Sequence, residues 1–218
     1  MTLASFQSGR SAGMTQPGRI QTPLSGYLTF ARKPLRFYEI RVSYSDPYKM
    51  VLEAIRYRPG SLEILNQLKL PHQEEYDAVR SAEDGWHAIK DMRTRGAPAI
   101  AIVAALSLAV ELQSNKTSDK AEEVAAFVVE KLDYLVTSRP TAVNLADAAR
   151  KLKKITEAAA SGDKSDGAAV SKAYCDAAAQ MLISDVSDNQ GIGKYGAEWI
   201  AKQAGGGQVS VLTHCNTG

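Results

Sequence analysis

Cys215 is the residue of this sequence best suited to nucleophilic or acid–base chemistry. It follows the segment QVSVLTH, residues 208–214, whose β-branched and apolar residues predict a strand. A thiol at the carboxyl end of such a strand lies where open α/β sheets bind their ligands, and a following helix would favour the thiolate. The alternative is a buried, inert cysteine, which is the more common fate of a single thiol. His214 is not expected to act as its base, because neighbours on a strand face opposite sides.

A second candidate is a loop that could hold a phosphate group. In RTRGAPAI, residues 93–100, Gly96 permits a tight turn and Pro98 suits the first position of a helix. The helix N-terminus offers free N–H groups and a partial positive charge, and Arg93 and Arg95 precede it. The alternative is an ordinary helix start beside two solvated arginines.

Arg139 repeats this arrangement in a weaker form. It precedes Pro140 in TSRPTAVNL, residues 137–145, and the proline biases it toward an extended conformation at a helix start. An arginine before a helix is usually solvated, so the segment alone does not establish a site.

The remaining thiol and imidazole groups are not predicted to do chemistry. Cys175 lies within a helical pattern beside Tyr174, where packing is the simpler interpretation. His72 and His87 are far from any cluster of ligand residues, so the sequence predicts no metal site.

Composition limits the classes of protein that this sequence could represent. The chain has 218 residues, of which 44% are apolar and 23% charged, so it can bury the core of one large or two small domains. Two cysteines do not form a disulfide framework and indicate a reducing compartment. The longest uncharged apolar run, Ala97–Val110, is shorter than the roughly 20 residues that a bilayer requires. It predicts a buried helix instead, and we expect no contact with a membrane.

Charge separates the first 49 residues from the rest. They contain seven Lys and Arg and two acids, whereas the remainder contains nineteen and twenty-two. The main body is therefore not basic, and no nucleic-acid surface is expected. The Ser-, Gly- and Arg-rich start predicts a disordered leader over residues 1–49. An organelle presequence is the alternative, but glycines and prolines interrupt any amphipathic helix there.

The elements that would position these residues follow from periodicity. Three short strands are predicted over 51–79, with a hairpin turn at Pro59-Gly60. From Ser81, a predicted N-cap with Asp84 three residues on, the pattern becomes helical. The helical stripes predicted after the buried helix are Val124, Phe127, Val128, Leu132 and Leu135; Leu145, Ala149, Leu152 and Ile155; Val170, Tyr174, Ala177 and Met181; and Ile192, Tyr195, Trp199 and Ile200.

Together these segments resemble the methylthioribose-1-phosphate isomerases of methionine salvage. The resemblance runs from Met50 to Gly218, where LEAIRY, RGAPAIA, SRPTAVN and VLTHCNTG occur in that family's order and spacing. RGAPAI is shared with the regulatory subunits of the guanine-nucleotide exchange factor of translation initiation, whereas THCNTG is more selective for sugar-phosphate isomerases. A non-catalytic regulatory subunit and a ribose-bisphosphate isomerase are the alternatives.

The resemblance implies an α/β fold with two domains. Residues 50–204 would form an α+β N-terminal domain, with a small antiparallel sheet at 51–79 and a helical bundle at 81–203. The strand within 205–218 would open a Rossmann-like domain, and the substrate would lie between the two. Family members continue well beyond this point, so we expect an incomplete gene model or a truncated product. A short form that pairs with full-length chains is the alternative.

The resemblance also implies a set of site residues. Arg95, Gly96, Ala97 and Arg139 would bind the substrate, and Cys215 would be a catalytic residue. The family's catalytic aspartate has no counterpart in the 218 residues, so we expect no turnover from this chain alone. The implied partner is a sugar phosphate, handled without a metal or other cofactor by a homodimer. A cytoplasmic location, with nuclear presence, is expected.

Overall fold

The structure is a computed structural model that describes residues 52–115, 118–162, 166–207 and 209–212. Contacts between residues divide the chain into two units, 5–51 and the remainder, and every described residue belongs to the latter. The leader predicted over 1–49 lies outside the described residues and stays a prediction.

A three-stranded antiparallel sheet begins the described part. Strands β1 (Ile55–Arg58), β2 (Ser61–Leu65) and β3 (Tyr76–Val79) lie in the order β1-β2-β3. Arg58 pairs with Ser61 across the predicted Pro59-Gly60 turn, and Gly60 takes a φ of 81° that favours glycine. Leu62 and Ile64 are buried while Ser61 and Glu63 are exposed, so one face of the sheet covers the core.

Five helices follow the sheet in the described residues. They are α1 (Ala82–Lys90), α2 (Ala97–Ser114), α3 (Ala121–Val136), α4 (Val143–Ala160) and α5 (Gly167–Ala204). The predicted cap of α1 is confirmed, because Ser81 Oγ accepts a hydrogen bond from Asp84 N at 3.2 Å. The predicted fold class, a small sheet with a helical bundle, is therefore confirmed over this part of the chain.

Helix α2 lies at the centre of the domain. Every residue from Ile100 to Leu112 is buried, and α2 contacts all four other helices and strands β1 and β2. By length and composition it could cross a bilayer, with a mean hydropathy of 1.6 over Ala97–Ser114, but 72% of that window is buried inside the domain. Core helices have the same composition, so burial within the protein accounts for this apolar sequence.

One buried carboxylate interrupts the apolar surface of α2. Glu111 Oε2 accepts a hydrogen bond from Ala82 N at 2.6 Å, and Lys131 Nζ lies 3.1 Å from Oε1. The first pairing satisfies an N–H at the start of α1, and the second pairs the buried charge with α3. Glu111 thus connects three helices.

Two helical predictions differ from the structure. The two patterns after residue 167 form one helix, α5, because no proline interrupts them and glycines such as Gly191 each cost only about 1 kcal/mol. In α4 the buried position is Thr156, whose hydroxyl donates to Leu152 O at 2.8 Å, whereas Ile155 is 41% exposed. The buried stripe therefore continues from Leu152 by four residues instead of three.

The end of the chain is described only in part. Helix α5 ends at Ala204, where Gly205 takes the left-handed conformation (φ 56°) common after helices, in agreement with the predicted release of the chain at the glycines. Residues 209–212 form no strand with the described residues, and Val211 and Leu212 are exposed. Residues 213–218 lie outside the described residues, so the strand predicted within 205–218 stays a prediction.

A close approach between α1 and α2 leads to a stability prediction. A Cβ at Gly85 would lie 2.3 Å from Ser107 Oγ and 2.5 Å from Ser107 Cβ. We expect Gly85→Ala to lower the free energy of unfolding by ~1–3 kcal/mol, because the two helices must separate. Urea unfolding of the purified chain measures this change.

Gly191→Ala is the matched control. Gly191 also lies within a helix, but apart from the adjacent residues and the backbone of its own helix no atom of the described residues lies within 4 Å of the Cβ position. The higher helix propensity of alanine should raise the free energy of unfolding by up to ~1 kcal/mol. Equal effects of the two substitutions would show that α1 and α2 are not in close contact at Gly85.

Candidate functional site

The two arginines in the loop between α1 and α2 make different contacts. Arg93 is directed toward the sheet, where its Nη1 lies 2.9 Å from Asp77 Oδ2. Asn66 Nδ2 donates to the same carboxylate oxygen at 3.1 Å, and Gln67 N donates to Arg93 O at 2.9 Å. Arg93 therefore anchors the loop to β3 and the segment after β2.

Arg95 is arranged differently. Its Nη2 donates to Gln67 O, while its buried Nε has no hydrogen-bond partner among the described residues. A buried guanidinium N–H without a partner is unfavourable, and a bound anion would satisfy it. This is the feature of the loop that most directly indicates a ligand.

Gly96 turns the chain into α2. Its φ of 99° and ψ of 132° lie in a region that residues with a side chain rarely adopt. Helix α2 begins at Ala97, so Pro98 occupies its second position instead of the predicted first. A proline is tolerated at this position as well, because the N–H groups of the first turn of a helix have no partners within the helix.

The N-terminus of α2 has no side-chain cap and no acidic residue in its first turn. Ile100 N closes the first helical hydrogen bond with Gly96 O at 2.9 Å. The N–H groups of Ala97 and Ala99 precede that bond, and such groups have no partner within the helix. They and the helix dipole favour an anion beside Arg95.

A cleft of about 700 Å³ adjoins this helix N-terminus. We call it the Arg95 cleft. It is bounded by the segment before β1, the segment after β2, the start of α2 and one turn of α5. Its lining residues are Leu52, Ala54, Leu65, Gln67, Leu70, Pro71, Arg95, Gly96, Pro98, Ala99, Asp185 and Asn189. The volume suits a small molecule, and the lining combines apolar walls with few polar groups.

A second groove of about 580 Å³ runs between α2, α4 and α5. It shares Pro98 and Asp185 with the Arg95 cleft. Val143 and Asn144, the first residues of α4, also line it. The N-termini of α2 and α4 therefore border one groove.

Asp185 is the acidic residue common to both depressions. Burial raises the pKa of its carboxyl above the usual value, the nearby charge of Asp188 adds to this, and a hydrogen bond from Asn189 opposes it. Asn189 Nδ2 also donates to Asp185 O at 2.8 Å. Asp185 and Asn189 were not predicted as site residues, because SDVSDNQ resembles a solvated helix face. The spacing of four residues between them puts both on one face of the helix, and this is the sequence signal that could have indicated them.

Arg139 is not among the residues that line the Arg95 cleft. It lies in the turn after α3, partly buried, with its carbonyl accepting from Ala142 N at 2.9 Å. The structure brings Arg95 and Gly96 to one cleft, places Ala97 at the start of α2 beside it, and leaves Arg139 near the start of α4. Substrate binding by these four residues stays a prediction.

The two cysteines lie in different parts of the chain. Cys215 lies outside the described residues, so its catalytic role stays a prediction. Cys175 is buried, with its Sγ 3.7 Å from Ala109 O. Burial, with a smaller contribution from the charge of Asp176, raises its thiol pKa to about 11. Such a thiol is protonated and unreactive at neutral pH, which agrees with the predicted packing role.

Potential metal ligands are dispersed in the part of the chain that the structure describes. No three His, Cys, Asp or Glu side chains there could hold a metal ion together.

Comparison with known sequences identifies related proteins. The family described as "Initiation factor 2 subunit family" matches residues 93–218. The methylthioribose-1-phosphate isomerase of Pyrenophora tritici-repentis is 66% identical over 172 residues, which cover 78% of this chain and 44% of that protein. The same-named protein of Aspergillus terreus is 56% identical over 175 residues, covering 78% and 46%. The chain spans about half the length of the curated relatives it matches.

Solved structures give the same family context. The 5-methylthioribose 1-phosphate isomerase of Pyrococcus horikoshii superposes with a TM-score of 0.61 at 30% identity, over 68% of this chain and 40% of that one. The delta subunit of translation initiation factor eIF-2B from A. fulgidus gives a TM-score of 0.60 at 30% identity, over 68% and 42%. The fold alone therefore does not separate an enzyme from a translation factor subunit.

The environment of Cys175 predicts its chemical reactivity. At pH 8, a pKa of about 11 leaves roughly one thiol in 10³ ionised, and burial restricts access further. We expect iodoacetamide to modify Cys175 slowly in the folded protein and rapidly in 8 M urea. Its labelling rate should rise about tenfold per pH unit above 8 while the fold persists. Mass spectrometry of peptides distinguishes it from Cys215, and rapid labelling of Cys175 in the native state would contradict this assignment.

Proposed function

This chain belongs to the initiation factor 2 subunit family, and from that membership we propose that it forms the phosphate-binding part of a methylthioribose-1-phosphate isomerase of methionine salvage. The observation that carries the proposal is the buried Nε of Arg95, which has no partner in the described part of the chain and lies beside the uncapped N-terminus of α2. A phosphate group accepts hydrogen bonds from guanidinium and backbone N–H groups together, which satisfies both. Identities of 56–66% to relatives of this name support the choice of substrate.

The proposed reaction converts an aldose 1-phosphate into a ketose 1-phosphate. Phosphate on the anomeric carbon prevents simple ring opening, so an acid must protonate the ring oxygen while a hydrogen passes from C2 to C1. Two positioned groups of opposite role are required. Arg95 and the N–H groups of α2 would hold the phosphate and thereby fix the position of C1.

The Cys215 thiol is proposed to act on the hydrogen at C2 of the sugar. This role rests on the resemblance of THCNTG to the family's catalytic segment, in which an aspartate is the second reacting group. A cytoplasmic homodimer with nuclear presence belongs to the same proposal, supported by the family alone.

A regulatory subunit of the translation factor is the second candidate. The similar TM-scores of 0.61 and 0.60 to an isomerase and to a delta subunit favour it as much as the enzyme. Both candidates could contain an anion site, whereas a thiol that is needed for turnover distinguishes the enzyme.

Arg95 and Arg93 offer a matched pair of substitutions for testing the anion site. We expect Arg95→Met to weaken binding of inorganic phosphate at least tenfold, because a charge-assisted bond worth ~1.5–3 kcal/mol is lost. The free energy of unfolding should fall by about 1 kcal/mol, because the hydrogen bond from Nη2 to Gln67 O is lost while Nε has no partner among the described residues.

Arg93→Met should affect the free energy of unfolding more than it affects phosphate affinity. Loss of its pair with Asp77 should destabilise the fold by ~1–3 kcal/mol, and it should weaken phosphate binding less than Arg95→Met does, because Arg93 anchors the loop but is paired with Asp77. Calorimetric titration with phosphate and urea unfolding measure both quantities. A stronger effect of Arg93→Met on phosphate affinity would reject the site.

The catalytic proposal is tested with the two cysteines. In the protein expressed from its complete coding region, Cys215→Ser should reduce turnover of 5-methylthioribose 1-phosphate by about 10²–10⁴-fold. Cys175→Ser, which changes a buried thiol outside the site, should leave kcat within twofold for the folded fraction. Phosphorus NMR follows the reaction directly. Absence of turnover in the unmodified protein would favour the regulatory candidate.

A further inference from the structure

Two side chains of opposite charge line the Arg95 cleft. Arg95 extends from the loop before α2, and Asp185 lies on α5. They form no ion pair with each other in the described part of the chain. The cleft therefore has a cationic part and an anionic part, and a bound ligand must match both.

A phosphate group has one favourable position in such a cleft. Arg95 and the N–H groups at the start of α2 attract it, whereas the carboxylate of Asp185 repels it. The part of a ligand that lies near Asp185 must therefore be uncharged or cationic. A second phosphate there would meet a like charge in a partly buried position.

The chemistry around Asp185 suits hydroxyl groups. A carboxylate accepts strong hydrogen bonds from hydroxyl donors, and the amide of Asn189 lines the same cleft one helical turn away. A sugar provides several hydroxyls on a compact frame. Gln67, whose backbone carbonyl accepts a hydrogen bond from Arg95, is a further polar residue that lines the cleft.

We infer that Asp185 is a specificity-determining residue, which faces the hydroxyl-bearing part of a sugar monophosphate and rejects ligands that carry a second phosphate. The inference rests on the proposed function, because it takes the phosphate to bind at Arg95. Such a residue would separate an isomerase of sugar monophosphates from the bisphosphate isomerase that the sequence left as an alternative. The selection acts by repulsion as well as by attraction.

The surroundings of Asp185 support this assignment. Burial and the charge of Asp188 both raise the pKa of the Asp185 carboxyl, so this position already disfavours negative charge. An additional phosphate would be disfavoured for the same reasons.

The test compares three ligands and three proteins. The ligands are inorganic phosphate, ribose 1-phosphate and ribose 1,5-bisphosphate. The proteins are the unmodified chain, Asp185→Asn, which removes the charge at nearly constant shape, and Asp188→Asn. Asp188 lies on the same helix and lines the neighbouring groove but not the Arg95 cleft, so it controls for loss of one charge from α5. Calorimetry gives each Kd, and circular dichroism verifies that the variants are folded.

The unmodified chain is expected to bind ribose 1-phosphate at least tenfold more tightly than inorganic phosphate, and more tightly than the bisphosphate. Asp185→Asn should weaken ribose 1-phosphate about tenfold, strengthen the bisphosphate about tenfold and leave inorganic phosphate within twofold. Asp188→Asn should leave ribose 1-phosphate and inorganic phosphate within twofold, and it should strengthen the bisphosphate less than Asp185→Asn does, because the Asp188 charge is the smaller contribution at this position.

Two results would overturn the inference, and they differ in what else they reject. If phosphate binds but Asp185→Asn leaves the preference between monophosphate and bisphosphate unchanged, Asp185 does not set specificity and the anion site stands. If the unmodified chain binds none of the three ligands, the anion site of the proposed function fails, and the inference fails with it.

Discussion

The burial of α2 is the constraint on which the rest of this structure depends. An apolar helix that is buried from Ile100 to Leu112 must be covered on all sides, and the sheet and the other four helices provide that cover. Only its ends can reach solvent. Its N-terminus lies at the Arg95 cleft, so the element that organises the core also presents N–H groups without partners in the helix, and a partial positive charge, to a ligand.

In the loop that leads into α2, Arg93 and Arg95 have different roles although they are two residues apart. Arg93 pairs with Asp77 and fixes the loop to the sheet, whereas Arg95 has a buried N–H without a partner among the residues that the structure describes. The positive φ of Gly96 makes the change of direction between loop and helix possible. A rigid attachment beside an unsatisfied donor is what a preorganised anion site requires. Asp185 then gives the same cleft a second, opposite charge.

Local sequence signals predicted much of this arrangement. The Pro59-Gly60 turn, the Ser81 cap and the uniform hydrophobicity of α2 depend on neighbouring residues, and each is present in the structure. The contribution of α5 to the cleft could not be predicted, because it depends on how a helix almost a hundred residues away packs against α2. The same limit explains why the local sequence did not distinguish Arg93 from Arg95, and why only the family resemblance indicated Arg95. Their difference arises from Asp77, which the sheet brings to one of them.

The most direct measurement is a nitrogen-15 NMR titration of the purified chain with inorganic phosphate. The account predicts saturable shifts of the backbone N–H signals of Gly96, Ala97 and Ala99 and of the Nε–H signal of Arg95, with the Arg93 Nε–H signal unchanged. Shifts that cluster at Arg93, or at another surface with the α2 N-terminus unaffected, would contradict the claim that this helix end binds the anion.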